Sequence, residues 1–232
     1  KPVTLRRKRS YFWVLVALVL SVAACSAFIL YQFIEREALR YSAQIRVAER
    51  LGKGPLALAT EIYDRDGQKI GEFSKEKRYY VGLDQIPASL QEAFIAVEDS
   101  SFYHHAGISP LAIVRAALVN TMRGGYVQGG STITQQIARI LFLSSEKTLQ
   151  RKFKEAAVAI ALERHLTKRR ILELYLNTIF LGNRSYGVEA AARNYFRKPV
   201  SELNVAESAM LAGLAKAPSK YAPHRFFEEA RK

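Results

Sequence analysis

Glu98 to Gly107 reads EDSSFYHHAG, and its place directly after an apolar helix-like run decides the fold. That run contains Leu90, Ala93, Phe94, Ile95, Ala96 and Val97, and it ends in two adjacent carboxylates, Glu98 and Asp99. A helix C-terminus carries the negative end of the macrodipole, so acids placed there work against stability. Beside aromatic rings and two histidines, such acids are either a solvated helix end or a general base. Spacing alone favours the solvated helix end. A metal site is the poorer use of His104 and His105, because adjacent histidines do not readily converge on one ion.

Downstream the chain is helical with clear punctuation. Pro87 and Ser89 open the helix that ends near Glu98. Ser109-Pro110 is an N-cap followed by proline at the first helical position, and Gly124-Gly125 closes that helix. In Gly129 to Gln136, GGSTITQQ, either Ser131 or Thr132, the latter with Gln135 as a capping box, opens the next helix, to about Leu143. Thr148 to His165 is a long amphipathic helix, and Thr167 opens another reaching about Phe180. Gly187 to Phe196 and Val205 to Lys216 are two more, the second started by Asn204 with Glu207 three residues on. Upstream, Ala59 to Tyr63 and Lys69 to Phe73 flank the turn Asp64-Arg65-Asp66-Gly67, a hairpin pattern, and Tyr79-Tyr80-Val81 reads as a short third strand. The expected fold is mainly α: a helical globule from Ile86 onward behind a small β lead-in.

Tyr11 to Ile34 carries no charged side chain and is long enough at helical rise to span a bilayer. Lys1, Arg6, Arg7, Lys8 and Arg9 precede it, which predicts a cytoplasmic N-terminus and an external remainder. Val22-Ala23-Ala24-Cys25 looks like a lipoprotein cleavage box, but the apolar run continues to Ile34, which favours an uncleaved anchor. Residues 1–10 are thus a basic tail, 11–34 a transmembrane helix, and 35–85 a stalk and β lead-in. Gly52-Lys53-Gly54-Pro55 breaks the stalk. The chain starts at Lys rather than Met and ends in FFEEARK without a helix stop signal, so it reads as part of a longer product.

Cys25 is the one cysteine, and it lies inside the anchor, so no disulfide framework or thiolate zinc site serves the external part. The net charge is +14; five positives belong to the tail, leaving about nine on the rest. A basic domain outside the membrane calls for lipid headgroups or a diphosphate as partner, with nucleic acid the poorest candidate. Arg151 and Glu155 lie four apart on the long helix with Lys152 beside them. An isolated pair of this kind is a helix-surface salt bridge; facing a cleft, the cluster is suited to a diphosphate. Glu173 and Asn177, also four apart, read as a buried polar pair bracing helices.

Five motifs in order, EDSSFYHHAG, GGSTITQQ, RKFKE (Arg151 to Glu155), KRRILELYLN (Lys168 to Asn177) and YGVEAAARNYF (Tyr186 to Phe196), resemble those of the family 51 peptidoglycan glycosyltransferases. The likeness covers roughly Ile86 to Pro223. It implies a lysozyme-like α-helical globule at 86–232, lying on the bacterial inner membrane. The implied reaction joins lipid II units with inversion and releases undecaprenyl diphosphate. By position in the motifs, the resemblance makes Glu98 the base, and gives Arg151 and Lys152 the departing diphosphate. Glu155 supports these cations or orients a divalent ion. Asp99, Phe102, His105, Thr132 and Gln136 fall at positions that shape the cleft. No cofactor is required, and Mg2+ or Mn2+ is the candidate ion. The implied partners are lipid II and the growing glycan strand, membrane lipid, a C-terminal transpeptidase domain and cell-wall synthesis proteins, with no nucleic acid. Arg139 and Ile140 stand where the family usually has lysine and asparagine; arginine keeps the charge, whereas isoleucine cannot replace the amide. Two rival readings are a lysozyme-like lytic glycosidase, which also uses a glutamate in a helical cleft, and a non-catalytic membrane-anchored cell-wall scaffold.

Overall fold

The computed structural model describes residues 3–50, 60–73, 78–125, 129–143, 148–216 and 218. The Gly52 to Pro55 break, Ala59 of the first strand and the FFEEARK terminus lie outside the described residues. Eight α-helices and one two-stranded sheet are present among those described. The expected fold class, mainly α with a small β lead-in and one N-terminal apolar helix, is borne out.

Helix α1 runs unbroken from Val3 to Arg50. Its segment Phe12–Val47 is long and apolar enough to cross a membrane. The expected stalk is the continuation of this same helix, and it docks on the globule. Ala38 and Ile45, two turns apart, are buried to 1 % exposure. Tyr41 meets Phe142 edge to face at 6.5 Å. Glu35 accepts two hydrogen bonds from the Arg164 guanidinium, at 2.5 and 2.8 Å. The sequence shows a charged helix; its docking stripe is too sparse to stand out.

Strands β1 (Thr60–Tyr63) and β2 (Lys69–Phe73) pair antiparallel, Thr60 opposite Phe73, with an irregularity between Ile62 and Tyr63. The turn forms because Asp64 Oδ1 accepts the N–H groups of Asp66 and Gln68. Tyr79-Tyr80-Val81 does not become a third strand. Alternating β-formers supply the pattern, but helix side chains take the backbone groups a neighbouring strand would have used. Asn177 exchanges two 2.9 Å hydrogen bonds with the N–H and C=O of Val81, and the Leu83 N–H donates to Glu173 at 3.0 Å. Glu173 and Asn177 are therefore a polar brace, as expected, but they hold this extended segment rather than a second helix.

The brace titrates. Burial works to raise the Glu173 pKa, but the Tyr80 hydroxyl, the Leu83 N–H and Arg170 outweigh it and hold the carboxyl below its ordinary value. Tyr80 is pushed up to about 12, first by burial and then by its hydrogen bond to Glu173. A depressed carboxyl contributes stability above its unfolded value and loses it as pH falls through the folded one. The raised phenol contributes below its ordinary value and loses that contribution as pH climbs towards about 12. Glu173→Gln should therefore flatten the acid side of the stability curve, read as melting temperature against pH. Parallel curves for the two proteins would remove the linkage.

The globule comprises α2 (Ala88–Glu98), α3 (Pro110–Met122), α4 (Ile133–Phe142), α5 (Leu149–His165), α6 (Lys168–Thr178), α7 (Val188–Phe196) and α8 (Val205–Lys216). Serine or threonine caps open four of them: Ser109, Thr132, Thr148 and Thr167 each accept a backbone N–H three residues on. Thr132 and Gln135 form the expected capping box. The core lies where α2, α4, α5 and α6 meet, around Phe94, Ile137, Leu162 and Tyr175, all at 0 to 1 % exposure. Each such aliphatic or Phe side chain contributes about 1.5–3 kcal/mol by leaving water. Ala157, Ala159 and Ala161 keep α5 slim enough to sit at the centre of the bundle.

Candidate functional site

Helix α2 brings Glu98 to the site because Leu90 and Phe94, at zero exposure, pin its inner face. The helix stops at Asp99, whose N–H still donates to the Ile95 carbonyl. The two carboxylates then part. Glu98 is half-buried, and its Oε2 accepts a 2.6 Å hydrogen bond from Gln136 Nε2 on α4. Asp99, 6 % exposed, turns inward. Its Oδ2 receives the Ile133 N–H at 3.1 Å, at the positive end of α4, and contacts His105 Nε2 at 2.8 Å. His105 Nδ1 accepts the Gly107 N–H at 3.1 Å, so in a neutral ring Nε2 carries the proton and donates to Asp99.

The loop after Asp99 is clamped from three sides. Phe102 is fully buried, with the His105 ring edge-on to it at 6.2 Å and Lys168 Nζ over its face at 4.5 Å. Lys168 is held there by Glu163, which also accepts from Thr134 on α4. Thr132 Oγ1 donates to the Gly107 carbonyl at 2.6 Å. Gly107 itself has φ +92, and a Cβ there would lie 2.8 Å from the Ala159 backbone on α5. Only glycine fits that crossing.

The cations come from the first turns of α5. Glu155 is 1 % exposed, and its two oxygens accept from Arg151 Nη1 at 2.5 Å and Lys152 Nζ at 2.7 Å. Lys152 also donates to Ser131 Oγ at 2.8 Å, just before the α4 cap. Ser131 and Gln136 lie five residues apart, one just before the Thr132 cap and the other in the first turns of α4. The start of α4 thus ties the cation cluster to Glu98. Arg151 Nε is buried and has no hydrogen-bond partner among the described residues, while the side chain as a whole is 17 % exposed.

Among the expected site residues, Glu98, Gln136, Arg151 and Lys152 keep surface open to solvent, while Asp99, Phe102, His105 and Thr132 form the wall behind them. Arg139 is exposed on the last turn of α4, and Ile140 beside it is 38 % exposed. With both Glu155 oxygens held by cations of the chain, the donor set does not suit a divalent ion. Among the described residues no group of three or more His, Cys, Asp or Glu side chains is arranged to hold a metal. Sequence reading offered Ser131 only as an alternative cap, a place Thr132 takes, did not single out Glu163, and gave Tyr175 no role. The Tyr175 ring is wholly buried against Phe94, and its hydroxyl has no hydrogen-bond partner among the described residues.

Residues 66–232 match the family model described as Transglycosylase. The chain belongs to the transglycosylase family. This bears out the family read from the five motifs. The transglycosylase chain is 55 % identical over 172 residues to penicillin-binding protein 1A of Aquifex aeolicus (strain VF5), covering 74 % of the chain and 24 % of that protein. It is 47 % identical over 213 residues to penicillin-binding protein 1A of Escherichia coli (strain K12), covering 92 % and 24 %. A crystal structure of penicillin-binding protein 1A from Haemophilus influenzae aligns with 75 % of the chain and 16 % of its own, at 30 % identity and a TM-score of 0.37. The transglycosylase chain spans about a quarter of the length of the curated relatives it matches.

Proposed function

We propose that this chain is an inverting peptidoglycan glycosyltransferase, anchored by α1, that polymerises lipid II into β-1,4-linked glycan strands. The observation that carries the reading is the shared scaffold of base and cations: Gln136 holds Glu98, and Ser131, at the other end of the same short stretch, meets Lys152. In the reaction the Glu98 carboxylate takes the proton from the 4-hydroxyl of the acceptor N-acetylglucosamine. That oxygen attacks C1 of the donor N-acetylmuramic acid from the face opposite the leaving group, forming the new bond as the C1–O bond to the diphosphate breaks. Arg151 and Lys152 take up the charge that develops on the departing undecaprenyl diphosphate, which leaves without needing a protonated acid. No step is assigned to a metal, because Glu155 is engaged by cations of the chain.

In this reading residues 11–34 span the bacterial inner membrane with the N-terminus in the cytoplasm, and residues 86–232 carry the catalysis outside. Partners are lipid II, the growing strand, membrane lipid and, in the longer protein, a transpeptidase domain and cell-wall synthesis proteins. The test is incubation of the membrane-bound protein with labelled lipid II, followed by analysis of product length and linkage. Lipid-dependent formation of β-1,4 strands is expected. Cleavage of finished, lipid-free peptidoglycan would point instead to the lytic glycosidase. A folded protein inert towards both substrates would favour a scaffold.

A further inference from the structure

Helix α3 leaves its outer face bare. Of its 13 residues only Ala116 is buried. Leu111, Val114, Leu118 and Met122 recur three and four positions apart, so they share one face, and they are 83, 57, 56 and 82 % exposed. The other side is accounted for: a Cβ at Gly130, just before the α4 cap, would lie 3.1 Å from Ile113 Cα and 3.4 Å from Ala116 Cβ. An open apolar stripe of this kind marks a contact surface. The helix carries no acidic residue, and Arg115 within it and Arg123 at its end are exposed. Its place in the fold points to the occupant. Gly107, three residues before α3, crosses α5 at Ala159. Ala159 is five residues, about 7.5 Å of helix axis, from Arg164, and Arg164 is bonded to Glu35, the residue that follows the apolar segment of α1. The start of α3 is thus held within two turns of α5 from the edge of the proposed bilayer. At 13 residues, or about 20 Å, α3 is too short to cross a hydrocarbon core of about 30 Å, so it can only lie along the surface. Two arginines with no acid on the helix to pair them favour phospholipid over an apolar protein partner.

We infer that α3 is a second membrane contact, an interfacial helix with Leu111, Val114, Leu118 and Met122 at the headgroup–acyl boundary and Arg115 and Arg123 on anionic phospholipid headgroups. The inference rests on α1 lying in the bilayer and is independent of the reaction assigned to Glu98. The apolar stripe supplies the insertion, and the arginines reach back to the phosphates from its flank and end.

Cys25, the one cysteine, is exposed on α1, so a single label can be placed at will. The test uses the full chain with Cys25→Ser and either Leu118→Cys or Met122→Cys, each carrying an environment-sensitive fluorophore. The proteins are reconstituted into vesicles of phosphatidylglycerol and phosphatidylethanolamine. Asp66→Cys, in the exposed hairpin turn, is the water reference. Lipids with a shallow doxyl group should quench both α3 labels and leave the reference bright. Neutral phosphatidylcholine vesicles, or Arg115→Gln with Arg123→Gln, should move the α3 labels back towards water, by roughly fivefold in the inserted-to-free ratio for each arginine. Quenching on α3 no stronger than at the reference would overturn the inference. So would a shielded emission that doxyl lipids fail to quench, the mark of a second copy or another protein on the stripe. Equal quenching in neutral vesicles would remove the headgroup contacts. Labelled Cys25 in the parental chain checks the anchor separately. Deep quenching there beside unquenched α3 labels overturns this inference alone, whereas an unquenched Cys25 removes the anchor on which it rests.

Discussion

Glu98→Gln is expected to lower lipid II polymerisation by about 10²- to 10⁴-fold, the usual worth of a general base, while the protein melts as before. The substitution keeps shape. A glutamine carbonyl can still accept the 2.6 Å hydrogen bond from Gln136, so the contact between α2 and α4 survives. What disappears is the ability to take a proton. Because lipid II would still meet Arg151 and Lys152, binding should persist and the loss should fall on kcat. Single-turnover assays with saturating lipid II, paired with thermal melts, separate the two effects. A variant that polymerises at the parental rate would assign the base to another group.

The second large effect is expected at Glu155. Removing one partner of a buried ion pair typically costs about 3–5 kcal/mol, because a charge is left without a counterion. Here the stranded groups are not wholly buried: the Arg151 side chain is 17 % exposed and that of Lys152 46 %. Both can recover some hydration, so Glu155→Ala should cost less, about 2–3 kcal/mol. Activity should suffer more than stability. Without the carboxylate the two cations repel each other, and Lys152 leaves the position in which it also meets Ser131. Loss of several orders of magnitude in turnover is expected, with a modest drop in denaturant midpoint. A variant that keeps its turnover would mean that the cations hold their places without Glu155.

How much of this was written in local sequence follows from the range of the interactions. Ser109, Thr132, Thr148 and Thr167 announce their helices because a cap bonds to an N–H three residues away. The cation cluster was visible for the same reason, since Arg151, Lys152 and Glu155 share one helical turn or so. The contacts that build the wall of the site were not legible. Asp99 reaches across 34 positions to Ile133, and Thr134 across 29 to Glu163. No periodicity records such pairings. The resemblance supplied Glu98 as the base, but the parting of Glu98 from Asp99 depends on where α4 begins in space. Tyr79 to Val81 misled because β-forming residues were read without asking which edge would receive them; Asn177 and Glu173 of α6 held that place.

The unbroken course of α1 has a mechanical consequence. With residues 11–34 in the bilayer as proposed, the same helix continues to Ile45, about 16 Å further along its axis, and packs on α5, with Glu35 bonded to Arg164 and Ala38 and Ile45 buried. A flexible tether would let the catalyst wander to any height above the lipid surface. A rod held in the bilayer and fastened to the globule sets a standoff, so Glu98 and its cations would sit at a fixed height above the lipid. One inserted residue in that rod would turn everything beyond it by about 100°, and the buried face at Ala38 and Ile45 would no longer meet α5.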